Sequence, residues 1–345
     1  MSVATAPARL RRRPALATFV FVVTAAALGV VFGPASLSVG DIFLELLDRL
    51  PLIQVDSGLS EREAAILWQI RVPRVVLGGL VGAILAISGA AYQGVFRNPL
   101  ADPYLLGVAA GAGLGATLVI AAGGDTTGIL LPAAAFAGAV IAVVVTYAAG
   151  GFGKRRNSAT LILAGVAVAS FFTALQTFVQ QRSADTVREV FSWILGRLAT
   201  VGWDEVRLLL PYAVASVIVL LASRRLLDVL AVGEEEANTL GVRAEQVRLV
   251  VVAAATLGTA AAVAVSGLIA FVGIIVPHAV RMLFGSSYRS ILPLSLLAGA
   301  GFLVLADLLA RTVLSPGELP IGVVTAFVGA PFFVVILRRA LGGQQ

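Results

Sequence analysis

The sequence predicts an all-α membrane protein of about ten transmembrane helices. Three observations carry that expectation. Residues from the hydrophobic set make up 59% of 345 positions against 13% charged, with a mean hydropathy of +0.98, whereas soluble domains carry roughly 25% charged residues. Charge-free runs of spanning length recur along the chain. Such a run satisfies its backbone hydrogen bonds in lipid only as a helix, and the alternating pattern of a closed β-barrel is absent. Basic residues also collect in alternate connections, as a multi-pass chain requires.

The basic segment 1–13, with Arg9, Arg11, Arg12 and Arg13, precedes an apolar run from Pro14 to Gly40. Its outline is that of a signal peptide, but the run is long for a signal core and further spans follow, which favours an uncleaved first helix over 14–33. The runs Val75 to Phe96, Pro103 to Gly124, Thr126 to Gly153, Asn157 to Gln181 and Leu208 to Ser223 predict helices over 73–94, 104–122, 128–150, 158–180 and 205–224. Leu249 to Val280 is too long for one span and reads as two helices, 246–265 and 270–284, broken at Ser266 and Gly267. Ser290 to Ala306 and Leu319 to Leu337 supply the last two, 290–311 and 321–340.

With alternating sides, one face collects sixteen Lys and Arg: the N-terminal four, Arg97, Lys154, Arg155, Arg156, Arg224, Arg225, Arg243, Arg248, Arg281, Arg289, Arg338 and Arg339. Six acids share that face, leaving nine basic and thirteen acidic residues on the other. Lys and Arg accumulate in cytoplasmic loops, so both termini are expected in the cytoplasm. The formal charge of +6 reflects this asymmetry, and no nucleic-acid partner is expected.

Small residues recur at four-residue spacing, as in Gly78 and Gly82 or Gly107, Gly111 and Gly115, with Gly299 and Gly301 later in the chain. Close helix packing is the natural reading. The segment 83–89 (AILAISG) recurs in pattern at 261–267 (AAVAVSG), offset by 178 residues. Five spans separate the copies, which predicts two inverted five-helix halves. No soluble domain interrupts them, so 1–345 is expected to form a single transmembrane domain.

Away from their ends the spans hold few ionisable groups: His278, Asp307 and Arg311. His278 reads as a structural group bonded to a nearby carbonyl, and Asp307 and Arg311, four apart, as a pair along one helix face. An uncharged pathway cannot by itself couple to a proton gradient. No phosphate-binding loop, nucleophilic triad or His-Glu-x-x-His pattern is present, and there is no cysteine. Energy, if used, must therefore come from elsewhere; this chain is not expected to be an enzyme, to hold a metal or to bind a cofactor. The connection 225–245 contains Gly233, then Glu234, Glu235 and Glu236 with Ala237 and Leu240. It reads as two short amphipathic helices separated by a glycine, either a docking element for a cytosolic partner or a solvated, acid-capped loop.

Several ordered motifs then resemble one family. Gln69-Ile70-Arg71-Val72-Pro73-Arg74, Ser88-Gly89-Ala90-Ala91-Tyr92-Gln93-Gly94, Arg97-Asn98-Pro99-Leu100-Ala101-Asp102-Pro103, Gly233 to Gly241, Gly273 to Arg281 and Glu318 to Pro331 resemble the FecCD-type permeases of bacterial ABC importers. The resemblance covers nearly everything after the first helix. It implies the type II importer permease fold, ten helices with both termini inside, and import of ferric siderophores, haem or vitamin B12. It further implies a permease homodimer or heterodimer carrying two cytosolic ATPases, with ATP and Mg on the ATPase, and an extracytoplasmic substrate-binding protein.

Residue by residue, the resemblance gives ATPase coupling to Glu234, Glu235, Glu236, Ala237, Leu240 and Gly241. It gives binding-protein docking to Arg71, Arg74 and Arg311, and the cytoplasmic gate to Asn98, Leu100 and Ser158, although Asn98-Pro99 reads equally as a helix stop. The family's pore-lining helices, fifth and tenth, are rich here in Ala, Val, Gly, Phe and Thr. A ferric siderophore is the expected cargo, with vitamin B12 and then haem as alternatives. An autonomous secondary transporter or channel remains the reading from a different class.

Overall fold

The computed structural model describes residues 12–49, 55–126, 128–150, 158–182, 186–198 and 202–342. Residues 1–11 of the basic segment and Lys154, Arg155 and Arg156 lie outside them. The helices are α1 (Arg12–Val31), α2 (Val39–Asp48), α3 (Glu61–Ile66), α4 (Val72–Phe96), α5 (Val108–Ala121), α6 (Leu130–Ala149) and α7 (Ser158–Gln181). They continue as α8 (Thr186–Ile194), α9 (Asp204–Val232), α10 (Glu234–Thr239), α11 (Ala244–Ser266), α12 (Val272–Phe284), α13 (Tyr288–Thr312) and α14 (Ile321–Gly342). A π-helical turn, Leu67–Arg71, joins α3 to α4, and a 3-10 turn, Pro103–Leu106, precedes α5. No strand occurs among the described residues.

The ten expected spans appear as α1, α4, α5, α6, α7, α9, α11, α12, α13 and α14. Seven of the helices are long and apolar enough to cross a membrane, and α5, α12 and the described part of α14 are shorter apolar helices. Three short helices, α2, α3 and α8, were not expected. The caps of the first two explain them: Ser38 accepts from Asp41 N, and Ser60 and Glu63 form a reciprocal capping box that satisfies two helix-end amides.

The bundle is organised around α4. Twenty of its 25 residues are buried, and α9, α11, α12 and α13 all pack on it. Small residues permit this crowding. A Cβ on Gly82 would overlap the Gly299 carbonyl, and one on Gly111 would overlap the Gly138 carbonyl of α6, so α4 meets α13 and α5 meets α6 backbone to backbone. Hydroxyl contacts tie α11 into the same core: Ser88 Oγ donates to Ala255 O at 3.3 Å, Ser216 Oγ donates to Ala254 O at 2.8 Å, and Tyr92 Oη and Thr256 Oγ1 lie 2.9 Å apart.

The short helices explain the interior. At about 1.5 Å per residue, α5 and α12 reach roughly 20 Å, less than the roughly 30 Å of a hydrocarbon core. Each is completed by chain outside the α-helices that folds into the bundle, 97–107 with its 3-10 turn before α5 and 267–271 before α12. Such backbone is tolerated in lipid only where protein satisfies it. Tyr104 Oη donates to Ile269 O at 3.1 Å and accepts from Ile269 N at 3.3 Å; Arg197 N donates to Ser266 O at 2.8 Å and Gly322 N to Leu195 O at 3.0 Å. The break anticipated at Ser266 and Gly267 is present, with Gly267 at φ +69°.

Two expectations are corrected. Helix α9 does not stop near 224 but continues to Val232, so the first half of the 225–245 connection is a prolongation of a span. His278 does not bond a carbonyl among the described residues; its ring meets Phe332 edge-on with centroids 6.1 Å apart.

Candidate functional site

Three places gather the residues singled out from the sequence. The first is α10, at one end of the bundle. Gly233 ends α9, and three glutamates open α10, where acids suit the positive end of a helix. Ala237 is fully buried in the main core with Leu227, Leu230 and Ala244. The helix closes on a Schellman motif: Val242 N donates to Ala237 O at 2.9 Å, Gly241 N donates to Asn238 O at 3.0 Å, and Gly241 takes φ +78°. Leu240 is 67% exposed, and Glu235 and Glu236 are exposed beside it. One face of α10 is thus fixed to the core while the other presents acids and one large apolar side chain.

Arg248, buried on α11, pairs with Glu234 beneath α10. Asp228, on the prolongation of α9, accepts from Ser287 Oγ at 2.9 Å and from Tyr288 N at 2.6 Å, capping α13. Neither residue was assigned a role from the sequence, because each contact joins elements whose proximity no periodicity reveals.

The second place is the opposite end of α4. Arg74 grips Asp307 through Nε at 3.0 Å and Nη2 at 2.8 Å, and Glu318 through Nη1 at 2.9 Å and Nη2 at 3.0 Å. Arg311 Nε lies 3.3 Å from Asp307 Oδ2, so the pairing expected along one helix face is present. Arg71 donates to the carbonyls of Val30 and Val31 at 2.9 and 2.7 Å and also to Ala35 O, and Arg311 donates to Gly29 O. The structure therefore gathers all three candidate docking arginines, but it buries them and turns them inward, binding α1, α4, α13 and the chain just before α14 together. Three guanidinium charges face two carboxylates, leaving the cluster net positive. Glu318, 39% exposed at its side chain, is its most accessible member; it belonged to a quoted motif but received no role there.

The third place adjoins the segment 97–107. Helix α4 ends with Arg97 at φ 51°, and Asn98 Oδ1 accepts from Leu100 N at 2.9 Å in a side-chain turn. Asn98 thus acts as the helix stop that its neighbour Pro99 suggested, with Leu100 exposed beside it. Ser158 opens α7, but its side chain lies outside the described residues. The same segment continues to Asp102 and Tyr104, which with α7 and the start of α12 line a cavity of about 780 Å³. Phe271 faces it at φ 71°, its ring packed against Phe333 of α14 at 6.2 Å.

The chain matches the FecCD transport family over residues 19–339. It is 45% identical over 281 residues to the cobalamin import system permease protein of Halobacterium salinarum, covering 81% of this chain and 75% of that one. It is 34% identical over 345 residues to the molybdate import system permease protein of Haemophilus influenzae, covering 95% and 96%. Among solved structures, a metal-chelate-type ABC transporter in an inward-facing conformation superposes with a TM-score of 0.82 at 29% identity, over 95% of this chain and all of that one. Fold, span order and family match agree on the permease of a type II ABC importer, and the chain belongs to the FecCD transport family.

Proposed function

We propose that this permease serves an ATP-driven importer of the cytoplasmic membrane and carries an intact ferric siderophore inward, with α10 and both termini in the cytoplasm. Two copies, or this chain and a similar one, pair across the pathway and grip two cytosolic ATPases, which hold ATP and Mg; the permease itself holds no cofactor. A substrate-binding protein delivers the cargo at the Arg74 end.

The observation that carries this reading is α10. Its buried Ala237 and its bond to Arg248 anchor it, so force applied to the exposed Glu235, Glu236 and Leu240 passes into α9, α11 and the capped start of α13 instead of bending a loop. The exposed acids and apolar side chain suit a cleft on a partner. The gate role of Asn98, Leu100 and Ser158 belongs to the same reading, Asn98 holding the turn that sets Leu100 at the end of the pathway. At the other end, the net positive charge of the arginine cluster attracts an acidic binding protein, and direct pairing requires Glu318 to swing away from Arg74.

A second cargo, vitamin B12, is favoured by the identity to the cobalamin permease, and haem follows it. Uptake of a radiolabelled ferric hydroxamate and of radiolabelled cobalamin, measured in cells expressing the complete importer, separates these readings. Accumulation of the iron chelate is expected; accumulation of cobalamin alone replaces the first reading with the second.

A further inference from the structure

Asp102 is only 9% exposed, yet no cationic side chain pairs with it among the described residues. Its Oδ1 accepts from Tyr104 N at 2.8 Å. Its Oδ2 lies against the first turn of α12, 3.2 Å from where a Cβ on Gly273 would stand, and the side chain borders the cavity between α7 and α12. Burial works against the charged form of this carboxyl, while the Tyr104 N–H and the positive end of α12 work for it.

The opposing wall has the same sense. Ser170, Thr173 and Thr177 of α7 face the cavity. Ser170 Oγ donates to Val166 O at 2.9 Å and Thr177 Oγ1 to Thr173 O at 2.9 Å. Those protons are spent on the helix's own carbonyls, so the two oxygens offer lone pairs to the cavity. Tyr104 Oη is likewise engaged by Ile269. Among the described residues, no Lys, Arg or His lines the space.

We infer that this cavity is a charge filter within the permease, in which Asp102 and the α7 hydroxyls pass uncharged or cationic cargo rich in N–H and O–H donors and refuse bare oxyanions. This rests on the cavity forming part of the pathway. A tetrahedral oxyanion entering it sheds hydrating water, finds almost no donor and meets a carboxylate; a cationic or donor-bearing chelate gains acceptors on both walls. By this chemistry the chain differs in cargo class from its molybdate-importing relative, and selection does not rest with the binding protein alone.

Because the chain has no cysteine, Ser170→Cys places a single thiol on the cavity wall, at an exposed position of α7. The full chain is reconstituted in vesicles at low ionic strength and mildly alkaline pH. Modification rates are compared for a trimethylammonium and a sulfonate methanethiosulfonate, each normalised to its rate with a small free thiol. A preference of about fivefold for the cation is expected, falling towards equality with Asp102→Asn and inverting with Thr177→Lys, a change at an exposed position that does not depend on refolding around Asp102. Millimolar molybdate is expected to leave the rate unchanged. Equal normalised rates in the chain retaining Asp102, an unaltered preference after both substitutions, or protection by molybdate overturns the filter. ATP-driven uptake by the complete importer, measured before and after labelling, reads the underlying pathway separately. If labelling stops uptake while the rates show no charge preference, only the filter is lost; labelling that leaves uptake intact removes the cavity from the pathway and the filter with it.

Discussion

Arg74 and Asp307, 233 residues apart in the chain, meet through two guanidinium nitrogens at 3.0 and 2.8 Å, with side chains 9% and 3% exposed. The pair joins α4, the axis of the bundle, to α13, and through Glu318 to the chain just before α14. Asp307→Ala leaves Arg74 with Glu318 alone and strips Arg311 of its nearest carboxylate. Removing one partner of a buried pair costs about 3–5 kcal/mol. The detergent-solubilised chain is therefore expected to unfold at a distinctly lower temperature, and an unchanged transition contradicts the structural role given to this cluster.

Arg71 also tests docking: its partners are carbonyl oxygens at the α1 end and, among the described residues, no carboxylate pairs with it, so its replacement leaves no buried acid unpaired. Arg71→Gln lowers the positive charge of the cluster by one. Docking of the binding protein is expected to weaken at low ionic strength by about 0.2–1 kcal/mol, with the difference fading as salt screens it. Equal affinities at both ionic strengths remove the cluster from the docking surface.

Glu235, Glu236 and Leu240 project from α10 while Ala237 holds it down. Replacing the three exposed residues together by Ala should release the ATPase during co-purification and leave the permease as stable as before. Ala237→Trp, by contrast, should lower stability, since no space exists at that buried position. Undiminished recovery of the ATPase with the triple variant contradicts the coupling role of α10.

Glu45 of α2, outside the spans, accepts from Ser57 Oγ at 2.7 Å and Trp68 Nε1 at 2.9 Å. The Ser57 bond first, then the Trp68 bond, hold its carboxyl below the ordinary carboxylate range. A depressed acid contributes stability that is present above the unfolded value and is lost as pH falls through the lower, folded value. Acidification below the ordinary carboxylate range should loosen α2 and change Trp68 fluorescence. Glu45→Gln should abolish that transition, and an identical acid titration in both chains contradicts the link.

The spans were legible because lipid imposes one solution on an apolar run, and charges mark where that solution ends. The same charges misled at α9, where Arg224, Arg225 and Asp228 sit on a helix that simply continues beyond the apolar stretch. At α5 the apolar run began in the 3-10 turn before Val108, a shape decided by Tyr104 and Ile269 meeting across the interior. The α10 motif could be read because glycine, acids and apolar residues stand within a few positions of one another. The fate of Arg74 could not, since its burial depends on carboxylates supplied by α13 and the chain beyond it. Asp102 lay inside a quoted motif, but that no cation pairs with it among the described residues is visible only once α12 is placed beside it.

On the proposed reading, this permease supplies a pathway and no motive power, which comes from an ATPase held at α10. Vesicles containing the purified chain alone, given a proton or sodium gradient and a labelled ferric hydroxamate, should show no accumulation. Addition of the ATPase, ATP and the loaded binding protein should start it. Accumulation driven by the ion gradient in vesicles holding this chain alone would make it an autonomous carrier instead.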